Sequence, residues 1–204
     1  FIKTGIGEEK KSKVISEKEK KITAYHEAGH AILFHLLPEM GPVHTISIIP
    51  TGMGAAGYTM PLPEQDEMFN SKKKMLENIV VDLGGRVAEE LIFHDITTGA
   101  SQDIKQATQM ARAMVTQYGM SEKVGMIQYG GDENEVFIGR DFGHTKNYAD
   151  QTAALIDSEV KRIIDESYEK AKEILSQNEE VLHKCAALLI QKEKIGREEF
   201  EALF

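Results

Sequence analysis

The stretch His26-Glu27-Ala28-Gly29-His30 has the pattern H-E-x-x-H and lies in a segment with helical periodicity. Two histidines four residues apart lie on one face of a helix, one turn apart, where both imidazoles can bind a single zinc ion. Glu27, beside the first histidine, is placed to take a proton from a water molecule at that ion. The pattern therefore predicts a zinc site with a general base, the combination found in zinc peptidases.

The flanking sequence predicts the limits of this helix. Ser16 and Glu19 form an S-x-x-E capping box, so the helix begins near Glu17, and Pro38 ends it. Residues 28–37 are apolar apart from two histidines, which indicates that this half is buried. Buried imidazoles need a partner for each nitrogen, and one metal ion serves both rings. The alternative is a pair of core histidines with other partners and an incidental Glu between them.

Composition narrows the class of protein. The 204 residues are 41% hydrophobic and 28% charged, as in ordinary globular domains, and they are enough for one core. The net charge of -9 argues against a nucleic-acid partner, and the lysine-rich residues 10–21 fit a solvated linker and helix face. Cys185 is the only cysteine, which excludes an internal disulfide and a cysteine-based zinc site. No apolar run reaches membrane-spanning length, and the start at Phe1 suggests a fragment cut from a longer protein.

Periodicity along the chain predicts a mainly α fold with a small β-sheet near the active site. Residues 1–16 lack apolar periodicity and are typical of an interdomain linker. Residues 17–204 then form the zinc-binding domain, with residues 148–204 as its C-terminal helical part. Strands are predicted at residues 43–49, 57–60, 126–129 and 136–138, and helices at residues 17–37, 71–93, 102–118, 148–177, 178–192 and 197–204.

A catalytic zinc ion needs a third protein ligand and an open position for water. The metzincin pattern is excluded, because Leu33 and Leu36 stand where that pattern has Gly and His. Glu89 and Glu90 are candidates of the thermolysin-like kind, and only one can point inward, since adjacent helical residues differ by about 100°. Asp103, in the first turn of the next helix, is another candidate, although the helix dipole also favours an acidic residue there. The residues alone leave the choice open.

Three separated motifs carry a resemblance to a known family. Residues 23–31 (TAYHEAGHA), 84–90 (GGRVAEE) and 98–104 (TGASQDI) closely resemble, in the same order, the peptidase domain of FtsH. FtsH is the membrane-anchored, ATP-dependent zinc protease of bacteria and organelles. The resemblance covers residues 17–204. His94 is a departure, because the family pattern has Gly at this position.

The resemblance implies a zinc-dependent endopeptidase and assigns roles to its site residues. It implies that His26, His30 and Asp103 bind Zn²⁺. It also implies that Glu27 is the catalytic residue, and that Glu89 lies beside the metal ligands and supports them. The third ligand is then Asp103 rather than a glutamate of the preceding helix.

The resemblance further implies partners outside this chain. These are unfolded polypeptide substrates, an upstream AAA ATPase module, other copies of the chain in a homo-hexamer, and an upstream anchor at the cytoplasmic face of the inner membrane. The chain has no G-x-x-x-x-G-K-[ST] loop, so it is not itself the ATPase. One alternative is a non-catalytic oligomerisation module with structural zinc, although the general base Glu27 argues against it. Another is a stand-alone thermolysin-like peptidase that uses Glu89 or Glu90 as third ligand.

The strand predicted at residues 43–49 is a candidate for substrate binding. It follows the zinc helix directly, and an unpaired strand edge can accept an extended peptide through backbone hydrogen bonds. The alternative is a strand that only covers the core. We expect an added substrate strand to pair along the cleft with Thr45, Ile46, Ser47 and Ile48.

Overall fold

The structure is a computed structural model that describes residues 15–52, 55–62, 67–130 and 148–204. Within these residues the chain forms six α-helices, one 3₁₀ turn and three strands, which confirms the predicted mainly α fold with a small sheet. In chain order the elements are α1 (Glu17–Leu36), β1 (Val43–Ser47), β2 (Tyr58–Pro61), α2 (Lys72–Phe93), the 3₁₀ turn (Thr98–Ala100), α3 (Ser101–Thr116), α4 (Asp150–Gln177), α5 (Glu179–Lys192), β3 (Lys194–Gly196) and α6 (Arg197–Glu201).

α1 begins and ends where its flanking residues predict. The Ser16 hydroxyl accepts a hydrogen bond from the Glu19 N–H at 3.2 Å, which satisfies one of the free amides of the first turn. Leu37 has left the helical conformation, as expected for the residue before Pro38. Residues 24–33 of α1 are buried, so this helix runs through the interior and places its polar side chains there.

α1 and α2 pack with their backbones in contact at two glycines. A Cβ atom on Gly29 would lie 2.5 Å from the carbonyl oxygen of Gly84, and a Cβ atom on Gly84 would lie 2.6 Å from Leu33 Cδ1. The first distance leaves no room for a methyl group at Gly29, and a methyl group at Gly84 would require the Leu33 side chain to move. A glycine inside a helix costs about 1 kcal/mol relative to alanine, and here the close packing offsets that cost. The contact brings side chains of α2 within reach of those on α1.

β1 is the central strand of an antiparallel sheet with the order β2-β1-β3. Ile46 of β1 pairs with Thr59 of β2 on one side and with Ile195 of β3 on the other. β3 follows α5 and has three residues, too few for an alternating pattern to be seen in the sequence. The third strand was therefore not predicted.

The prediction that the strand at residues 43–49 offers an unpaired edge is wrong. Its expected substrate-binding residues already have backbone partners on both sides of the strand: Thr45, Ile46 and Ser47 pair with β2 and β3. The Ile48 N–H donates to the Glu193 carbonyl oxygen at 2.9 Å. A peptide cannot add to a strand whose two edges are occupied, and the second edge is covered by a segment far away in the sequence.

Two hydrophobic clusters hold the helices together. The first lies among α1, α2, the sheet and α5, and the second lies among α2, α3 and α4. α4 joins both clusters, because its first half packs into the second cluster and its last turns pack into the first. Fully buried members of the first cluster include Ile32, Ile46, Leu175, Leu182, Leu189 and Phe200, and those of the second include Ile79, Met114 and Ile156.

Some predicted segments differ from the structure or lie outside it. Residues 126–129 form no strand, and Met126 is 93% exposed, so its apolar character does not reflect burial in a sheet. Residues 136–138 and most of the predicted linker, residues 1–14, lie outside the described residues. The proposed boundary between linker and domain stays a prediction. Among the helices that the structure describes, none combines the length and the apolar character needed to cross a membrane.

Candidate metal centre

α1 presents three polar side chains toward the interior. His26, Glu27 and His30 are each less than a tenth exposed, at 9%, 7% and 9%. The two imidazole rings lie edge to face with their centroids 4.8 Å apart, as helical positions four residues apart allow. Buried polar groups must find partners within the protein, so the neighbours of these side chains decide what the site can do.

Asp103 meets both histidines from the first turn of α3. Its Oδ2 atom lies 3.0 Å from His26 Nε2 and 3.2 Å from His30 Nε2, and the two Nε2 atoms are 3.1 Å apart. In a tetrahedral zinc site with bonds of about 2.0 Å, neighbouring ligand atoms lie about 3.3 Å apart. In the part of the chain that the structure describes, this is the one group of three such side chains whose ligand atoms gather this closely.

The hydrogen-bond partner of Nδ1 in each histidine, the nitrogen that faces away from Asp103, identifies the tautomer. His30 Nδ1 lies 2.7 Å from the Val81 carbonyl oxygen, which can only accept, so Nδ1 carries the hydrogen. His26 Nδ1 lies 2.9 Å from Glu89 Oε2, which accepts in the same way. In neutral imidazoles both Nε2 atoms are then lone-pair donors to a metal. The two Nε2 atoms and the carboxylate oxygen point at one another, so a cation or extra protons must lie between them. This arrangement fits a zinc ion.

The same contacts control protonation. Burial disfavours a charged His26, but its bonds to Asp103 and Glu89 outweigh this effect and raise its pKa to about 10. Burial acts to raise the pKa of Asp103, but the bonds to His26 and His30 hold that pKa well below its usual range. The site therefore stabilises positive charge strongly. A proton and a metal ion compete for the same nitrogen lone pairs, so zinc binding releases protons.

Glu27 lies on the side of the site that faces β2. Its Oε2 accepts a hydrogen bond from the Thr59 hydroxyl at 3.0 Å. Burial raises the pKa of Glu27, and the nearby His30 and His26 oppose this rise. Glu27 does not belong to the group of three residues whose ligand atoms converge. Its carboxylate can therefore act on a reactant next to that group.

Glu89 contacts a histidine instead of joining the converging atoms. It is 1% exposed, with Oε2 accepting from His26 Nδ1–H and Oε1 accepting from the Thr97 hydroxyl at 2.5 Å. Burial acts to raise the pKa of Glu89, but these hydrogen bonds lower it. Glu90 points toward α4, where its Oε1 lies 3.8 Å from Lys172 Nζ. This geometry favours Asp103 over both glutamates as the third ligand.

Three further residues that shape the site were not predicted from the sequence. Gly85 leaves room for the His26 ring, since a Cβ atom there would lie 2.4 Å from its Nε2. Thr97 caps the 3₁₀ turn before α3, and threonine is a favoured cap residue, so its position was a usable signal. Thr59 lies in a short strand, and nothing in the local pattern indicates that its hydroxyl reaches Glu27.

His94, the departure from the family pattern, ends α2. Its backbone is in the left-handed region, with φ 53° and ψ 28°, and its N–H donates to the Glu90 carbonyl oxygen at 3.0 Å. Glycine is the residue most often found at such a helix end because it has no Cβ to strain. The departure therefore affects the end of a helix and adds no histidine to the metal centre.

Comparison with known proteins identifies the family of this chain. A sequence model of peptidase family M41 matches residues 13–203. The chain belongs to peptidase family M41. The ATP-dependent zinc metalloprotease FtsH 1 of Thermoanaerobacter sp. (strain X514) and the ATP-dependent zinc metalloprotease FtsH of Caldicellulosiruptor bescii are each 54% identical to it over 198 residues. The protein of the same name from Ruminiclostridium cellulolyticum is 50% identical over 202 residues.

These alignments cover nearly all of the chain but only part of each relative. They include 97%, 97% and 99% of this chain, and 32% of each of the three relatives. The M41 chain thus spans about a third of the length of the curated relatives it matches. Membership of this family confirms the resemblance to the FtsH peptidase domain that the three sequence motifs carry.

Proposed function

We propose that this M41 chain is a zinc endopeptidase in which His26, His30 and Asp103 hold the ion and Glu27 is the general base. The observation that carries the proposal is the meeting of two imidazole Nε2 atoms and one carboxylate oxygen within 3.2 Å, with a buried carboxylate next to them on the same helix. A bound zinc ion supplies a Lewis acid that acidifies water and polarises the scissile carbonyl.

The protein groups around the ion have separate roles in the reaction. Glu27 takes the proton of the attacking water and later passes a proton to the leaving amine. Thr59 donates to one oxygen of Glu27 and so orients the carboxylate. Glu89 and the Val81 carbonyl hold the outer nitrogens of the two histidines, which keeps both Nε2 lone pairs aimed at one point.

Exchange of Glu27 for Gln tests this function. The Glu27→Gln variant keeps the shape of the side chain and an oxygen for Thr59, so it should fold and bind zinc normally. Its hydrolysis of casein should fall by about 10²–10⁴-fold, the usual contribution of a general base. Glu90→Gln, one position after Glu89 and directed at α4, is the matched control and should keep wild-type turnover. Near-normal turnover by a zinc-loaded Glu27→Gln variant would rule the mechanism out.

The alternatives are less well supported by the arrangement. A structural zinc site in a non-catalytic module has no use for a carboxylate beside the ion, yet Glu27 is buried there with a hydroxyl donor of its own. A thermolysin-like site requires Glu89 or Glu90 as ligand, but both oxygens of Glu89 accept hydrogen bonds from other groups.

The outer edge of β2 is the place we propose for substrate binding. Within the described residues β2 pairs only with β1, and its Thr59 contacts Glu27. The Leu62 N–H bonds to the Pro42 carbonyl oxygen, so by alternation the N–H of Thr59 points away from β1. A peptide paired there by backbone hydrogen bonds would lie beside the general base, with little dependence on its side chains.

Two variants at position 59 test substrate binding at the outer edge of β2. Thr59→Pro removes the outward N–H together with the hydroxyl, whereas Thr59→Val removes only the hydroxyl. We expect KM for unfolded casein to rise several-fold more in Thr59→Pro than in Thr59→Val, with equal zinc content in both. Equal KM values for the two folded variants would contradict binding at this edge.

We also propose that the chain works as the proteolytic part of a longer protein with an AAA ATPase module, a membrane anchor and a homo-hexameric assembly, at the cytoplasmic face of the inner membrane. The support is that relatives named ATP-dependent zinc metalloproteases are about three times as long. Unfolded polypeptides are the substrates such a module would deliver. The full-length protein should degrade casein only with hydrolysable ATP, sediment with membranes and show six copies by native mass measurement. ATP-independent degradation by a monomeric full-length protein would contradict this.

A further inference from the structure

Thr97 joins the segment that precedes α3 to one face of α2. Its hydroxyl donates to Glu89 Oε1 at 2.5 Å and accepts from the Gly99 N–H at 3.1 Å. Its carbonyl oxygen accepts from Arg86 Nη2 at 3.0 Å. Arg86 and Glu89 are three residues apart on α2, so they lie on one face of that helix. α2 therefore holds Thr97 through both its backbone and its side chain.

The Thr97 hydroxyl completes the partners of the Glu89 carboxylate. His26 Nδ1–H donates to one oxygen and Thr97 donates to the other, so the carboxylate has a donor on each side. A buried carboxylate oxygen without a donor is destabilising, and the group would turn to find another partner. Any such turn moves the oxygen that holds His26. Through Glu89, the orientation of the His26 ring depends on Thr97.

We propose that Thr97 is a positioning residue of the metal centre, which by fixing Glu89 keeps His26 Nε2 aimed at the other two ligand atoms. The inference rests on the proposed function, because it takes this nitrogen to be a zinc ligand. Loss of a group that hydrogen-bonds a metal ligand lowers metal affinity by roughly 10–100-fold. Thr97 acts one contact further out, so its loss should raise the zinc dissociation constant by about 10-fold, the lower end of that range.

Three single variants separate the hydroxyl from the rest of the side chain. Thr97→Val removes the hydroxyl at constant shape and should show the loss of affinity. Thr97→Ser keeps the hydroxyl and should bind zinc like the wild type. Thr98→Val is the matched control, because within the described part of the chain the Thr98 side chain makes no hydrogen bond. Zinc dissociation constants are measured by competition with a chromogenic chelator, and thermal unfolding of the metal-free proteins checks that each variant is folded.

A double-mutant cycle tests whether Thr97 acts through Glu89. In a Glu89→Ala background the carboxylate is absent, and Gly99 is an exposed residue, so water can replace Thr97 as the acceptor for its N–H. Adding Thr97→Val to Glu89→Ala should therefore lower zinc affinity no further. An additional 10-fold loss in the double variant would show that Thr97 acts by another route and would overturn the proposal.

The wild-type measurement distinguishes this inference from the proposed function. A wild-type protein that binds no zinc would overturn both. A zinc-binding wild type with the same affinity in Thr97→Val and Thr98→Val would overturn the role of Thr97 alone and leave the three ligands in place. Weaker binding in Thr97→Ser, equal to that in Thr97→Val, would also overturn it, since the hydroxyl would then not be the group that matters.

Discussion

The metal centre and the C-terminal helices α4 and α5 use buried positions in opposite ways. At the metal centre, the buried positions of α1 hold polar side chains, and each of these is oriented by a hydrogen bond with a group outside α1. His26 contacts both Glu89 of α2 and Asp103 of α3. In α4 and α5 the buried residues are mostly apolar, as Leu175 and Leu189 are, and most charges face outward. The first arrangement fixes the positions of atoms, and the second supplies stability.

Charged pairs show the same contrast. The ion pair of Arg162 and Glu166 on α4 is exposed and contributes about 0–1 kcal/mol in such settings. The contact of His26 with Glu89 is buried, so loss of one residue leaves Glu89 Oε2 without its donor or His26 Nδ1–H without its acceptor. Substitutions in the two regions should therefore have separable effects, on zinc affinity in one and on the free energy of unfolding in the other.

The largest effect on zinc affinity is expected from Asp103→Ala. This change removes one of the three converging atoms, so zinc affinity should fall by more than the roughly 10–100-fold expected for Glu89→Ala, which removes only a supporting contact. Metal content and chelator competition measure both. Equal losses in the two variants would contradict the assignment of Asp103 as a ligand and of Glu89 as a supporting residue.

Gly85→Ala should have an intermediate effect. The added methyl would lie 2.4 Å from His26 Nε2, so the ring must move, and overpacking of this kind costs about 1–3 kcal/mol. We expect this to appear chiefly as weaker zinc binding. Gly196→Ala is the control, because among the described residues no atom beyond the two chain neighbours of Gly196 would lie within 4 Å of a Cβ atom there, and its φ of −96° suits any residue. Unchanged zinc affinity in Gly85→Ala would show that the ring has room to spare.

The smallest effect on zinc is expected from Leu189→Ala in α5. Leu189 is fully buried in the first cluster, so the free energy of unfolding should fall by about 2–5 kcal/mol. Zinc affinity of the folded protein should stay at the wild-type value. Leu188→Ala, at a partly buried neighbour, should cost less. Denaturant unfolding of the metal-free proteins gives the stability, and a parallel loss of zinc affinity would show that the two regions are coupled.

Local pattern determined several parts of this protein. The capping residues of α1 and α2 are Ser16 and Ser71, and each accepts from an amide three residues later, a contact that needs only adjacent turns. The H-E-x-x-H spacing places both histidines on one face because helical geometry alone decides this. The three motifs also determined the family. From the residues alone, however, Asp103, Glu89 and Glu90 stayed open as third ligand, and the resemblance selected one of them.

Only the tertiary structure decided which oxygen reaches which nitrogen. Glu89 and Asp103 lie 63 and 77 residues from His26 in the chain, and they meet its Nδ1 and Nε2 respectively. Periodicity reports which face of an element is buried but not what it is buried against. For the same reason the sequence did not predict that the strand at residues 43–49 is central, since this depends on pairing with β3. Nor did it predict that the hydroxyls of Thr59 and Thr97 donate to Glu27 and Glu89. Contacts between distant segments arise from packing, and no local pattern records them.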